Sequence, residues 1–478
     1  MSSLDQGAPL GAIATQGTTG VRRGATLALL AFAQLIISLD LNIVFVALPE
    51  IGAGLGFSGQ TLQWVVSAYT VFTGGFLLFG GRAADLIGQR RVFIFALWLY
   101  ALSSLVGGLA RGPEIIIAAR AVQGIGAAFL FPATLSLINR LFAEGPERNR
   151  ALAVWGGAGA SGLTLGSLAG GFLTSAFGWP SVFYVNVLLA GIAIIAAFAI
   201  IPRDRKRHEH RSFDLPGALT VTAGATLLVF TLVQGPEYGW GSTAIIVSAA
   251  LPAFFLIAFT MIEAKSADPL MPLRLFYNRS LVAGMTITFL YMATFGALPY
   301  FLTVLLQNVH GFTALQTGLA FLVPSVAIAA GTQAGERLAT RFSTRSTLVG
   351  GMVVGAVGTA LMVSGATAES SYLSLVPGLI VSGVGQGIVW TAMWIAAASG
   401  VANDQQGVAS GMASTTLNVG NAIGMAVLIA IANSQIGELS GDALKIAVAD
   451  GIRVAFWFAA AGIVVSLLAA MVLPAKAR

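Results

Sequence analysis

Residues 28–49 read ALLAFAQLIISLDLNIVFVALP, an apolar run that carries a single acidic residue, Asp40. The run is long enough to cross a bilayer as a helix, since a span needs about 20 mainly apolar residues. An ionisable side chain at that depth is costly, so its default interpretation is functional, with a partner of opposite charge. Asp40 is therefore the first candidate functional residue of this chain.

The partner predicted for Asp40 is Arg120, which lies in a second apolar run, IIIAARAVQGIGAAFLFPATLSLI, at residues 115–138. At a rise of about 1.5 Å per helical residue, Asp40 lies about 12 Å and Arg120 about 9 Å from the outer ends of their spans. The two side chains can therefore meet in the outer half of the membrane. The alternative is an ion pair that only fixes packing, a costly way to join helices that glycines can join alone.

Composition places the chain among integral membrane proteins. Apolar residues make up 56% of its 478 residues and charged residues 9%, whereas a soluble protein carries about 25% charged residues. Cysteine is absent, and His208, His210 and His310 fall in predicted loops. Clustered catalytic groups or metal ligands are therefore not expected at depth, which argues against a membrane-embedded enzyme and against a bound metal or cofactor.

Fourteen segments are predicted to span the membrane, because each holds about 20 mainly apolar residues. They are residues 25–48, 62–81, 92–110, 114–138, 151–173, 181–201, 215–234, 243–262, 281–302, 314–334, 346–366, 372–399, 408–431 and 452–473. With the N-terminus inside, 21 of the 25 Lys and Arg residues fall in cytoplasmic segments. The positive-inside rule then predicts a multi-pass protein of the cytoplasmic membrane with both termini cytoplasmic. The same placement accounts for the net charge of +6 without a nucleic-acid partner.

Polar and aromatic side chains are spread over spans in both halves of the chain. As a set they fit a wet, partly aromatic central cavity for a small-molecule substrate, although ordinary helix packing is the alternative for each one alone. The polar residues are Gln34, Asn42, Gln123, Asn186, Gln386, Asn418 and Asn421, and the aromatic residues are Tyr291, Phe295, Tyr300, Trp390 and Trp394. Pro132, Pro299 and Pro324 are expected to kink or break their spans.

Two motifs lie near spans 2 to 4. Residues 120–128 read RAVQGIGAA, which fits R-x-x-Q-G-x-G-A-A, and residues 81–91 read GRAADLIGQRR, which is close to G-x-L-A-D-R-x-G-R-R. The matching residues are Arg120, Gln123, Gly124 and Gly126 in the first motif and Gly81, Asp85, Gly88 and Arg90 in the second. Ala83, Leu86 and Gln89 depart from the second pattern.

Spans 1 and 5 each carry a further motif with departures. Residues 39–49, LDLNIVFVALP, fit L-D-x-T-I-V-N-V-A-L-P at Asp40, with Asn42 in place of Thr and Phe45 in place of Asn. Span 5 fits G-x-x-x-G-P-x-x-G-G, except that Ser167 stands where proline is usual. The matching glycines are Gly162, Gly166, Gly170 and Gly171. The first three share one helical face, which suits a close helix contact, whether fixed or sliding.

These motifs, together with GFTALQTGLAFLVPS at residues 311–325, cover nearly the whole chain and resemble the 14-span drug:proton antiporter branch of the major facilitator superfamily. The resemblance implies an all-α integral membrane fold of two six-helix bundles that rock about a midplane site. The implied division is a disordered cytoplasmic tail at 1–24, bundles at 25–201 and 281–478, a basic linker at 202–214, two inserted transmembrane helices at 215–262 and a second cytoplasmic linker at 263–280. Asp85 would lock the inward-closed face by contacting the N-terminal end of a nearby helix.

The resemblance also implies a function, the export of small amphipathic compounds in exchange for protons by a monomer that uses the proton motive force. Asp40 would bind the proton, and Arg120 would favour the charged carboxylate. Ser167 removes a built-in kink, which leaves antiport and symport both open. A proton-coupled symporter or facilitator for a small nutrient is therefore the alternative, and a channel or receptor is a more distant one.

Overall fold

The computed structural model describes residues 20–57, 62, 64–204, 214–239, 241–266, 269, 271–402, 405–433 and 441–473. Within these residues the chain is helical, without a β-strand, and fourteen long helices follow the order of the predicted spans. They are α1 (Gly20–Leu55), α2 (Trp64–Ile87), α3 (Gln89–Gly108), α4 (Pro113–Leu141), α5 (Pro146–Phe177), α6 (Ser181–Ile200), α7 (Leu215–Tyr238), α8 (Thr243–Lys265), α9 (Arg279–Val309), α10 (Ala314–Ala320 continued by Leu322–Arg341), α11 (Thr344–Gly365), α12 (Tyr372–Ala398), α13 (Gln406–Asn433) and α14 (Gly441–Met471). Most of the predicted tail and basic linker lies outside the described residues.

The fourteen helices agree with the predicted number of spans. Twelve helices in the described part of the chain are long and apolar enough to cross a membrane. The other two are α5, which is rich in glycine, serine and threonine, and α7, whose apolar stretch Pro216–Thr231 is shorter. Helices are stable in the lipid bilayer because their backbone polar groups form hydrogen bonds within the helix itself. The chain is thus a multi-pass membrane protein.

The second helix is longer than predicted, so the motif at 81–91 is mostly helical. The span predicted at 62–81 ends at Ile87, which places Gly81 and Asp85 on α2 instead of in a loop. Gly88, with a φ of 114°, is the single residue between α2 and α3. Glycine reaches that backbone conformation easily, and other residues do not. Gly88 therefore permits the sharp connection.

Helices α1–α6 and α9–α14 pack in the same pattern. In the first half, α1 lies against α5 and α6, α4 lies against α2 and α3, and α6 also contacts α3. In the second half, the helices numbered eight higher make the same five contacts. The shared pattern relates the two halves as structural repeats and leaves α7 and α8 outside the repeat.

The two halves meet mainly where α2 packs on α13 and where α5 packs on α10. These two contacts are equivalent, because α10 and α13 are the repeat partners of α2 and α5. Glycine allows the first contact, since a Cβ on Gly81 would collide with the carbonyl oxygen of Gly407. A Cβ on Gly411 would likewise lie 3.1 Å from the carbonyl oxygen of Leu77. The helix backbones are thus almost in contact.

The inserted helices lie beside the α2–α13 contact. α7 packs on α2, α13 and α8, with the ring of Phe230 stacked 5.9 Å from that of Trp64. The α7–α8 contact includes a hydrogen bond from Thr231 Oγ1 to the carbonyl oxygen of Ser248 at 2.6 Å. Of the 23 residues of α8, five are buried, so most of that helix is left to face lipid.

Two of the three predicted proline disruptions occur. α9 passes through a 3-10 turn at Phe295–Ala297, which ends two residues before Pro299. α10 is interrupted at Phe321, three residues before Pro324. α4, in contrast, continues through Pro132 as an α-helix. A break at Pro132 in span 4 therefore does not occur, because the helix accommodates the proline without ending.

One face of the molecule carries most of the described basic residues and is called the basic face below. It consists of the start of α1, the ends of α6 and α8, and the α2–α3, α4–α5 and α10–α11 connections. Its basic residues include Arg23, Arg90, Arg140, Arg148, Arg203, Arg337 and Arg341. The other end of the helices is called the opposite face.

Candidate functional site

The structure brings Asp40 of α1 and Arg120 of α4 into direct contact. Arg120 Nη1 donates a hydrogen bond to Asp40 Oδ2 at 2.7 Å, and the two side chains are 1% and 0% exposed. A charge this deeply buried is stable only when it is paired and fully hydrogen-bonded. The remaining atoms of both side chains therefore decide whether the site is a complete network.

The second carboxylate oxygen of Asp40 accepts two more hydrogen bonds. Gln123 Nε2 donates to Asp40 Oδ1 at 3.0 Å, and Asn186 Nδ2 donates to the same oxygen at 2.6 Å. Gln123 Nε2 also donates to Ser104 Oγ at 2.8 Å. Both oxygens of the carboxylate thus have partners, and the network joins α1, α3, α4 and α6.

Arg120 is held from three further directions. Its Nε donates to the carbonyl oxygen of Val65 at 2.9 Å, and its Nη1 also donates to Gln123 Oε1 at 2.7 Å. The guanidinium carbon lies 4.4 Å from the ring centroid of Tyr69, which is a cation–π distance. Val65 and Tyr69 belong to α2, so five helices of the first half converge on one ion pair.

Two residues predicted as cavity linings belong instead to this network. Gln123 and Asn186 are 0% exposed and bind Asp40, so that prediction was wrong for them. A polar residue in an apolar span signals a buried role, but its sequence position does not indicate which neighbour it meets. Ser104 and Tyr69 were missed, since neither residue type is unusual in a membrane helix.

Glycines of α4 and α5 allow the helices around the network to approach closely. Gly126 of α4 lies where an added Cβ would be 3.2 Å from the backbone nitrogen of Tyr100, and a Cβ on Gly124 would collide with the carbonyl oxygen of Tyr69. These two motif glycines therefore bring α4 against α3 and α2.

The glycine face of α5 packs against α1, the helix that carries Asp40. The glycines of this seam are Gly162, Gly166 and Gly170. A Cβ on Gly162 would lie 2.6 Å from the carbonyl oxygen of Leu35, and one on Gly166 would collide with that of Leu39. Gly171 lies off the seam, with no atom within 4 Å of an added Cβ. The seam is thus a contact within the first half of the molecule.

Asp85 joins the two halves at the basic face. Its Oδ1 accepts a hydrogen bond from the backbone nitrogen of Gly407 at 3.0 Å, and its Oδ2 accepts one from Val408 at 2.9 Å. Both nitrogens lie in the first turn of α13, where backbone N–H groups lack partners within the helix and the dipole favours negative charge. The carboxylate of α2 therefore acts as a latch on α13.

Arg90, the last predicted residue of that motif, contacts a different region. Its Nη2 donates to the carbonyl oxygen of Phe198 at 2.9 Å, which ties α3 to the end of α6. The backbone nitrogens of Arg90 and Arg91 donate to the carboxylate of Asp204 at 3.2 and 3.1 Å, and Arg140 pairs with it at 3.4 Å. Asp204 caps α3, and no motif in the sequence pointed to it.

Six aromatic side chains form a cluster across the interface between the halves. The aromatic cluster consists of Phe131, Trp155, Tyr291, Phe295, Trp390 and Trp394. Trp155 stacks on Trp390 at 6.0 Å, Tyr291 lies 5.5 Å from Trp390, and Phe131 lies 5.7 Å from Trp394. Trp155 is about 14 Å along α5 from its start, so the cluster lies in the half of the molecule near the basic face.

Only the members of the aromatic cluster that lie in the second half were predicted from the sequence. Phe131 and Trp155 were missed because aromatic residues are common in apolar spans, and only the packing shows which of them meet. Tyr300 was expected with the others, but it is 42% exposed and its ring contacts Phe301, so the structure does not bring it into the cluster.

The remaining predicted cavity residues are not gathered in one place. Gln34 is buried and donates to Ser38 Oγ at 3.4 Å on its own helix, while Asn42 binds Ser167 of α5 at 3.3 Å. The others are half-buried, Gln386 on α12 and Asn418 and Asn421 on α13. Their part in a substrate site stays a prediction.

Two repeated six-helix halves, one of which buries a hydrogen-bonded ion pair, are typical of a secondary transporter. The family model of the Major Facilitator Superfamily matches residues 30–425 and 284–478, and the chain belongs to this superfamily. Its fourteen helices agree with the 14-span branch.

Several relatives match over most of their length. The cephamycin export protein CmcT of Amycolatopsis lactamdurans is 39% identical over 425 residues, which cover 87% of this chain and 87% of that protein. The puromycin resistance protein pur8 of Streptomyces alboniger is 34% identical and covers 91% and 86%. The lincomycin resistance protein of Streptomyces lincolnensis is 32% identical and covers 95% and 92%.

Solved structures share the fold at low sequence identity. The human organic anion transporter MFSD10 has a TM-score of 0.67 at 16% identity and covers 94% of this chain and 99% of its own. The proton:xylose symporter XylE has a TM-score of 0.68 at 12% identity and covers 94% and 95%. At such identities the likeness concerns the fold alone, and it confirms the predicted major facilitator fold.

Proposed function

We propose that this chain is a drug efflux transporter of the cytoplasmic membrane that exports small amphipathic compounds in exchange for protons. Its relatives include proteins named for cephamycin export and for puromycin and lincomycin resistance. The observation that carries the proton coupling is the buried Asp40–Arg120 pair, whose side chains are 0% and 1% exposed. An ionisable pair at membrane depth is costly and marks a proton or ion path.

The proposed orientation places the basic face in the cytoplasm, in line with the positive-inside rule. That face is closed by the Asp85 latch, by the aromatic cluster and by a hydrogen bond from Asn149 Nδ2 to Thr340 Oγ1 at 3.2 Å between α5 and α10. In this orientation the described conformation is closed toward the cytoplasm.

Protonation of Asp40 is the proposed driving event. A neutral carboxyl group loses its Coulomb attraction to Arg120, and it can then donate one hydrogen bond instead of only accepting. The hydrogen bonds that reach the protonated oxygen, from Arg120 at Oδ2 or from Gln123 and Asn186 at Oδ1, then rearrange, which shifts α1 relative to α4 and α6. These three helices belong to the same six-helix half of the molecule. A change in the charge of Asp40 therefore shifts the equilibrium between the two orientations of the halves.

The aromatic cluster is the proposed entry side of the substrate site. Its rings come from α4 and α5 in the first half and from α9 and α12 in the second, so they separate when the basic face opens. Separated tryptophan and tyrosine rings offer apolar faces with polar edges, which suits amphipathic compounds. Closing the cluster again releases the substrate toward the opposite face.

The test compares cells with and without the gene against a panel of toxic compounds, each with and without an uncoupler. Expression should raise resistance, and the uncoupler should abolish the difference. Asp40→Asn should abolish proton-driven efflux. In proteoliposomes without a proton gradient, the same variant should still exchange substrate across the membrane, and this exchange shows that the variant is folded. Normal resistance in this variant would refute the coupling role, and substrate accumulation driven by inward proton flow would instead favour the nutrient symporter.

A further inference from the structure

Two departures from the family patterns lie against each other. Asn42 of α1 replaces the usual threonine, and Ser167 of α5 replaces the usual proline. In the fold, Asn42 Nδ2 donates a hydrogen bond to Ser167 Oγ at 3.3 Å, across 125 positions of sequence. Both side chains are half-buried. The two unusual residues thus form one link between two helices.

Neither family residue alone would support this link. Proline at 167 has no hydroxyl group, and its ring would clash with the carbonyl group one turn earlier and bend α5. Threonine at 42 is one atom shorter than asparagine and lacks the amide donor. With Ser167, α5 runs as one unbroken helix from Pro146 to Phe177. The chain therefore has a polar bond where the pattern has a kink.

The link lies between the proton site and the interface of the two halves. On α1, Asn42 follows Asp40 by two residues, and on α5, Ser167 follows the seam residue Gly166. On its other side α5 meets α10, where the Ser167 Cβ would lie 3.6 Å from a Cβ on Gly318. Thr164 of α5 also hydrogen-bonds Ser325 of α10. Ser167 is thus at a junction of α1, α5 and α10.

We propose that the Asn42–Ser167 hydrogen bond relays the charge state of Asp40 to the interface between the halves, and that it takes the place of the proline kink. Asn42 and Ser167 are positioning residues in this proposal, which rests on the proposed proton coupling. A glycine seam alone has no directional bonds and allows α1 to slide along α5. The hydrogen bond fixes the register, so that a shift of α1 moves α5 against α10.

The test measures the opening of the basic face as a function of pH, with the proton as the only ligand. The chain contains no cysteine, so spin labels on Glu144→Cys and Arg341→Cys report one distance across that face in lipid nanodiscs. The ratio of open to closed molecules is measured between pH 5 and pH 9. The parent chain should change this ratio with pH, and Asp40→Asn should remove the dependence.

Ser167→Ala and Asn42→Ala should each reduce the pH-driven change in the ratio about two- to tenfold, the range that one neutral hydrogen bond supports. The double variant should be no worse than the more affected single variant, because both remove the same bond. Ser167→Thr keeps the hydroxyl group and should behave as the parent. Ser161→Ala is the matched control, since that hydroxyl donates to the carbonyl oxygen of Gly157 in its own helix.

Each outcome has a distinct meaning. If the parent chain shows no pH dependence, the proposed proton coupling fails. If the parent responds to pH and Ser167→Ala responds equally, or if the two alanine effects add independently, the relay is overturned. A loss that Ser167→Thr does not rescue would also overturn it, because the effect would then come from helix packing and not from the hydroxyl group.

Discussion

At the residue scale, Asp40 illustrates how a membrane helix tolerates a carboxylate. Its two oxygens accept hydrogen bonds from Arg120, Gln123 and Asn186, and its side chain is 0% exposed. Each bond offsets part of the desolvation cost of the charge. The same bonds make the site sensitive to protonation, because a neutral carboxyl group no longer matches three donors on α4 and α6 that are arranged for an anion.

Loss of the cation alone should damage this site more than loss of both charges. Arg120→Gln leaves Asp40 buried without its countercharge, which is expected to cost about 3–5 kcal/mol of stability. Asp40→Asn combined with Arg120→Gln removes both charges and should recover most of that loss, but without proton coupling. Thermal unfolding of the detergent-solubilised variants measures the difference.

A matched control for this comparison is Arg453→Gln. Arg453 pairs with Asp450 at 3.1 Å, but both side chains are exposed, at 42% and 57%, and exposed ion pairs contribute little. Equal destabilisation by Arg120→Gln and Arg453→Gln would contradict the idea that burial gives the Asp40 pair its importance.

At the element scale, α5 has two different faces. One face is the glycine seam on α1, and the other contacts α10 of the second half. α5 therefore contacts both α1, which carries Asp40, and α10, which belongs to the half that moves against the first. A helix in this position can transmit a shift from the proton site to the interface, provided that its contact with α1 does not slip.

The glycine seam predicts that alanine substitutions at two glycines of α5 have different effects on stability. Gly166→Ala places a Cβ against the carbonyl oxygen of Leu39 and should destabilise the protein by about 1–3 kcal/mol through overpacking. Gly171→Ala meets no atom within 4 Å and should be neutral within about 1 kcal/mol. Thermal unfolding and transport assays of both variants test this prediction. Similar losses of stability and transport in both variants would show that the seam has no special role.

At the scale of the whole molecule, the two halves are held together most tightly near the basic face. The Asp85 carboxylate binds the first turn of α13, the aromatic cluster joins both halves, and glycines bring α2 and α13 into backbone contact. These contacts are all short-range, so they are lost together when the halves rotate. The basic face is therefore expected to open and close as a unit.

Asp85→Asn should shift the molecule toward opening of the basic face. The variant loses the negative charge that interacts with the N-terminus of α13, an effect of about 0.3–2 kcal/mol, which corresponds to roughly a two- to thirtyfold change in the open-to-closed ratio. The spin-label distance across the basic face measures it. Asp442→Asn, at an exposed residue on the opposite face, is the control. An unchanged distance distribution in Asp85→Asn would exclude a latch.

Much of the fold could be predicted because membrane insertion leaves a strong local signal. Apolar length gives the number of spans, and the basic residues divide the loops into two sets, so the fourteen helices followed from composition and order. The Asp40–Arg120 contact could also be predicted, since two isolated opposite charges at similar depth in lipid have few alternatives. The end of α2 could not, because glycine and alanine allow both a helix and a loop at residues 81–87.

The amino-acid sequence by itself determined that this protein spans the membrane repeatedly and buries one acid beside one base, because burial of charge in lipid is too costly to leave unpaired. Only the tertiary structure decided which polar residues complete the network around Asp40, which aromatic rings meet across the interface, and that Asn42 reaches Ser167. Those choices depend on helix rotation and on the register of distant helices. Helix periodicity restricts both, but contacts between side chains far apart in the chain finally set them.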